Sequence, residues 1–174
     1  MREVFDLLAR IQQKRNIDLL IIGAWALQAH RYSRNTNDVD CMTAVEDDES
    51  ISEELLRAGF ECFEELPAFR RFRHRREPLL VLDVMRVDAG TFAKMWQEAQ
   101  PCNPFGLPLR APGLKHLLAL KLHAARHEHR MDKDMGDVRE LLLANPGAVS
   151  PLELQQLCDQ FGSPEIARRL APFL

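Results

Sequence analysis

Asp38 and Asp40 form an Asp-x-Asp pair inside DVDCMTA, a stretch whose alternation predicts a strand. Two residues apart in a strand, both side chains leave from one face, roughly 6 to 7 Å apart, while Val39 turns to the other. Paired carboxylates at this spacing suit a hard cation such as Mg²⁺, whose octahedral shell is completed by phosphate oxygens and water. A polar, solvent-facing strand end would read the same way, because the pattern is short. Asp83 adds to it. It is the lone charge in LLVLDVMRV, between Leu79, Leu80, Val81 and Leu82 on one side and Val84 and Met85 on the other. A carboxylate buried there without a partner would cost several kcal/mol, so it needs a buried Arg or Lys, or a metal shared with other carboxylates.

The elements that must position these groups follow from the periodicity. Val4, Phe5, Leu7, Leu8 and Ile11 predict an opening amphipathic helix that ends near Arg15-Asn16. IDLLII, residues 17 to 22, is a short apolar run closed by Gly23 and predicts a buried strand, after which AWALQAH reads as a short helix. A strand that closes on glycine and opens a helix can turn backbone N–H groups and the helix N-terminus toward a phosphate. Asp47 to Ala58 predicts a helix stopped by Gly59; Phe60 to Glu64 and Phe69 to Arg75 predict strands, as does LLVLDVMRV, and a helix is expected near Thr91 to Gln97. PCNPFGLPLRAP is a proline-rich connection with room for one short strand at Phe105 to Leu109. From Pro112 the pattern is helical, with breaks at Asn145-Pro146-Gly147 and Gly162-Ser163-Pro164, giving three or four helices. The expected organisation is an α/β half over residues 1–110 and a helical segment over 111–174.

Order and spacing now carry more than any one residue: strand, Gly23, helix, Arg34-x-Thr36-x-Asp38-x-Asp40, then a strand aspartate some forty residues on. The stretch GAWALQAHRYSRNTNDVDCM resembles the signature of the DNA polymerase β-like nucleotidyltransferases, which opens with Gly-Gly or Gly-Ser at a helix start and ends in Asp-x-Asp. Its Arg-x-Thr-x-Asp-x-Asp form is similar to that of bacterial abortive-infection toxin nucleotidyltransferases and lincosamide-type antibiotic nucleotidyltransferases. The likeness covers roughly residues 17 to 45, returns at 79 to 87 and resumes at 114 to 142. It implies an α/β (α+β) nucleotidyltransferase fold, a small mixed sheet flanked by helices and followed by a C-terminal helical segment that completes the pocket. It further implies that Asp38, Asp40 and Asp83 bind Mg²⁺ or Mn²⁺ and act as the catalytic triad. Gly23, Ala24, Arg34, Thr36, Lys121, Lys133 and Asp134 would bind the nucleoside triphosphate. The acceptor would be RNA, a protein or an antibiotic, and a toxin-like member would be held in check by an antitoxin protein. At Ala24 the chain departs from the pattern: the family usually has Ser or Gly there, so a hydroxyl that could contact the triphosphate is missing. The alternative reading is therefore an inactive nucleotidyltransferase-like protein that binds a nucleotide or a partner. A glycosyltransferase using Asp-x-Asp on a nucleotide-sugar would leave Gly23, Asp83 and Lys121 unexplained.

In the helical half, Lys121 lies in one stripe with Leu114, Leu117, Leu118 and Ala125, so its ammonium either snorkels past the core or meets an anion. Asp134 shares a face with Val138 and Leu141 and could pair with Lys121 or Arg130, lining the nucleotide pocket or bracing it. His116, His123 and His127 share a stripe, but no acid or cysteine at ligand spacing joins them, so a histidine-rich surface is the simpler reading. RRFRHRR, residues 70 to 76, is the concentrated basic patch; it fits an outer strand protected by charge, or a flank of the pocket that holds phosphates or an RNA backbone.

Composition bounds the rest. The 174 residues are 46% hydrophobic and 28% charged, which suits a folded domain, and the net charge of −3 requires any polyanion site to be local. Cys41, Cys62, Cys102 and Cys158 never approach C-x-x-C spacing and read as free thiols. No apolar run reaches about 18 residues and the first ten residues lack a signal-peptide layout, so a cytoplasmic protein with no membrane partner is expected.

Overall fold

A computed structural model describes residues 1–174. Contacts divide the chain into two compact units, one comprising residues 1–26 and 33–112, the other 27–32 and 113–174.

The first unit opens with α1 (Arg2–Arg15), whose Val4, Phe5, Leu8 and Ile11 are buried at helical spacing; Asn16 ends it in the left-handed conformation. The strands are β1 (Leu20–Ile21), β2 (Asp38–Ala44), β3 (Phe60–Leu66), β4 (Phe69–His74), β5 (Val81–Val87), β6 (Gln100–Pro101) and β7 (Arg110–Ala111). They form one mixed sheet in the order β3-β4-β5-β2-β1-β7-β6, parallel between β2 and β5 and between β1 and β7. Two helices complete the unit. α2 (Asp48–Arg57) starts on acids that complement its dipole, and α3 (Ala89–Gln97) is capped by Asp88, whose side chain accepts from the Thr91 amide at 2.9 Å.

The expected elements are present with changed bounds: IDLLII forms a strand only over Leu20–Ile21, LLVLDVMRV becomes a strand only from Val81, with Leu79 exposed, and two segments differ in kind. AWALQAH forms a 3-10 helix, Trp25–His30, and the segment expected as a strand at Phe105 to Leu109 holds instead a 3-10 turn, Pro104–Gly106. Prolines at 104 and 108 remove ladder donors there, so sheet pairing is confined to the short β6 and β7 on either side. The core of this unit includes Val39, Cys41, Ile51, Leu55, Phe72, Leu82 and Val84, all buried.

The second unit contains α4 (Leu114–Ala124), α5 (Glu128–Ala144), α6 (Pro151–Phe161) and α7 (Pro164–Arg169). α4 packs on α5 and α6 through Leu117, Leu118, Leu122, Val138, Leu141 and Leu154. A reciprocal capping box, Ser150 with Glu153, starts α6. Leu27 and His30 are buried in this unit, and Asn145 donates to the His30 carbonyl at 2.8 Å. No helix is long and apolar enough to cross a membrane.

Candidate active site

β2 and β5 run parallel in a register that sets Asp40 beside Asp83 and Asp38 beside Val81. Register partners share a face, and residues two apart do as well, so Asp38, Asp40 and Asp83 all project from one side of two adjacent strands. Val39, Cys41, Leu82 and Val84 take the other side and are fully buried. The alternation that buries the hydrophobic residues is thus what presents the carboxylates.

Each aspartate is held from a different direction. The Ile22 amide donates to the Asp40 carbonyl at 2.9 Å, which brings Gly23 against the Asp40 side chain. Gly23 has φ +64°, and a Cβ there would lie 2.7 Å from Asp40 Cγ and overlap the carboxylate. Only glycine meets both conditions. Trp25 Nε1 donates to the Asp38 carbonyl at 3.2 Å, and its ring is clamped by Phe5 and Phe105, with centroids 4.8 and 5.5 Å away. The Thr36 hydroxyl donates to the Asp38 carboxylate. Arg34 is partly exposed, and Ala24 is buried at 5% exposure.

Asp83 receives Arg71 Nε on Oδ1 at 3.1 Å, and Arg71 Nη1 reaches Glu64 Oε2 at 3.1 Å. Across four strands the register therefore reads Glu64, Arg71, Asp83, Asp40. Of the two partners that burial demanded for Asp83, a basic side chain is present. Burial nonetheless raises the Asp83 carboxyl above the usual range, and nearby Asp38 and Glu64 add to this, while Arg71 opposes it. The Cys41 thiol is pushed far up, first by burial and then by Asp40, Asp83 and Asp48, so it stays protonated and inert. All four cysteines are free thiols.

The donor chemistry of the three carboxylates fits a hard divalent cation, and the Gly23 cradle seats one of them closely. As the side chains stand, no three acids converge on one point, so an ion would have to draw them together.

The helical unit carries a second charge cluster. Lys121 Nζ lies 3.0 Å from Asp134 Oδ1 and 2.7 Å from Asp137 Oδ2, and all three residues are buried. Arg130 Nε bonds Asp134 Oδ2 at 2.8 Å. Asp134 thus pairs with both cations considered for it, whereas adjacent Lys133 points to solvent. His123 and His127 are exposed, and no histidine joins a metal-binding cluster.

Trp25, Glu64 and Asp137 were not singled out from the sequence. Asp137 lies three residues after Asp134, on the same helical face, and that spacing could have revealed it. Trp25 and Glu64 depend on tertiary packing and on cross-strand register, which leave no local signal.

No family model matches this sequence, and comparison with curated proteins finds no significant match. Solved structures do match, and the fold they share with this chain is that of nucleotidyltransferases. One is ANT(2")-Ia in complex with adenylyl-2"-tobramycin, at 18% identity and a TM-score of 0.62, covering 99% of this chain and 95% of that one. The lincomycin-bound lincosamide antibiotic adenylyltransferase LnuA gives 13% identity and a TM-score of 0.58, over 81% and 95% of the two chains. An antigenic nucleotidyltransferase-like protein from Paracoccidioides brasiliensis gives 18% identity and a TM-score of 0.57, over 97% and 91%. At these identities the likeness is one of fold.

Proposed function

We propose that this chain is a metal-dependent nucleotidyltransferase that moves a nucleoside monophosphate from a nucleoside triphosphate to an acceptor hydroxyl. The observation that carries this reading is the carboxylate face: Asp38, Asp40 and Asp83 on adjacent parallel strands, with Gly23 packed against Asp40. The fold likeness to two antibiotic adenylyltransferases supports the reaction class.

Asp38, Asp40 and Asp83 would hold Mg²⁺ or Mn²⁺, which neutralises phosphate charge and orients the reacting oxygens when bound. Gly23, which opens the 3-10 helix, lies where the triphosphate would approach Asp40, and Thr36 and Trp25 fix Asp38 from its flank. The acceptor oxygen bonds to the α-phosphorus, the bond to the bridging oxygen of the β-phosphate breaks, and pyrophosphate leaves with that electron pair. The hydroxyl proton passes to the Asp83 carboxylate. Arg71 orients that carboxylate. In the helical unit, Asp134 and Asp137 are already neutralised by Lys121 and Arg130, which supports a bracing role for them.

Ala24 favours a second reading, a nucleotide-binding protein without turnover, because the hydroxyl expected after Gly23 is absent. One experiment separates the two. The purified protein is incubated with Mg²⁺, each α-labelled nucleoside triphosphate, total RNA and cell extract, and label transfer and pyrophosphate are measured. Transfer that falls by several orders of magnitude in Asp40→Asn supports the transferase. Nucleotide binding with no transfer from any of the four nucleotides would sink it in favour of the second reading.

A further inference from the structure

The transfer chemistry leaves the segment from Cys102 to Gly106 without a part, yet that segment reaches the carboxylate face through Trp25. β1 and β2 are antiparallel in a register that pairs Leu20 with Met42 and Ile21 with Cys41, and the Ile22 amide closes the ladder on the Asp40 carbonyl. Had β1 run on, the amide of Ala24 would have bonded the Asp38 carbonyl next. The chain turns away at Gly23 instead, at φ +64°, and the Trp25 indole N–H takes the place of that amide at 3.2 Å. Asp38, the first residue of β2, is thus fastened on this side by a side chain, and its backbone is only as fixed as the indole ring.

Residues 102–106 hold that ring. The Cys102 thiol donates to the Trp25 carbonyl at 3.3 Å, and the Phe105 ring packs on the indole with centroids 5.5 Å apart, while Phe5 of α1 meets it edge-on at 4.8 Å. Phe105 does this from a backbone ill suited to it. Its φ of 53° and ψ of 24° lie in the left-handed region, where a side chain is strained, although Gly106 stands next in the chain. The ring is also 47% exposed, so burial offsets that strain only in part. Strain held at such a position points to a contact kept for what it orients. Resting on the transferase reading, we propose that Phe105 is a positioning residue for the divalent cation: its ring holds the Trp25 indole in the orientation that fastens Asp38. Because an ion has to draw the three aspartates together, each one already fixed at its backbone leaves less to order on binding.

The test is a titration of Mn²⁺ into the purified protein, with the free ion read by electron paramagnetic resonance and melting curves run on every variant. The wild type should bind Mn²⁺ and Asp40→Asn should not. Phe105→Gly, which relieves the backbone and removes the ring, should weaken binding about tenfold yet melt close to the wild type, and Phe105→Tyr should restore the affinity. Trp25→Phe keeps most of the packing and deletes the indole donor, and it should weaken binding to the same extent. Combining Trp25→Phe with Phe105→Gly should add no further loss, because both changes break one path. Ser150→Ala, in the other unit, is the comparison for lost stability alone: its melting temperature should fall while its Mn²⁺ affinity holds. Affinity that survives Phe105→Gly, losses shared by Phe105→Tyr, or losses that add in the combined variant overturn the positioning role and leave the transferase standing. A wild type without Asp40-dependent Mn²⁺ binding removes the metal-dependent transferase, and the role of Phe105 with it.

Discussion

Gly23 is the residue on which the carboxylate face is most sensitive to a single methyl group. Gly23→Ala should lower stability by about 1 kcal/mol or more, because alanine strains at positive φ, and should also displace the Asp40 carboxylate. Its signature is a melting temperature only modestly lowered while nucleotide transfer is lost. Ala24→Ser tests the neighbouring departure from the other side. Restoring the hydroxyl should tighten nucleoside triphosphate binding about two- to tenfold in a calorimetric titration, the worth of one ordinary hydrogen bond. Both residues were legible in the sequence, but for a different reason than the structure supplies. The spacing pointed to Gly23 as a backbone that faces phosphate; its packing against Asp40 depends on how β1 lies beside β2, which the sequence does not state. Asp83 was legible as a charge in need of a partner, and the choice of Arg71 was not, because it follows from the register of β4 on β5.

Among the elements, α4 and α5 are joined by the least forgiving contact. Lys121→Met would leave Asp134 and Asp137 buried without their shared ammonium, and should cost about 3–5 kcal/mol, read as a lowered urea midpoint. Ser150→Ala removes half of the capping box of α6 and should cost about 1 kcal/mol in the same assay. The strands and helices that were legible are those with long periodic patterns, such as α1, β2, α2 and β5. The stretch from 98 to 112 was not, because four prolines and two strands of two residues each leave no period to read.

For the molecule as a whole, charge is arranged in dense local networks on a background of −3 net. Glu54 accepts from Lys14 at 2.9 Å, Arg15 at 2.7 Å and Arg57 at 2.7 Å, tying α1 to α2 within the first unit. Lys14 and Arg15, with Arg57, hold its carboxyl down from the ordinary 4.5 to about 2. A carboxyl depressed by folding stabilises above its unfolded value and loses that contribution as pH falls through the folded one. Glu54→Gln should therefore melt below the wild type at pH 7, with the gap closing as the pH drops from 4.5 to about 2. The division of the chain has another consequence, for synthesis. Residues 27–32 leave the first unit and return to it, yet they fold with helices that begin at residue 113. While the chain grows, Leu27 and its neighbours must wait unpaired until α4 and α5 emerge, roughly ninety residues and several seconds later at ordinary elongation rates. A fragment ending at residue 112 should accordingly be aggregation-prone and engage chaperones, and supplying 113–174 as a separate chain should raise its soluble yield.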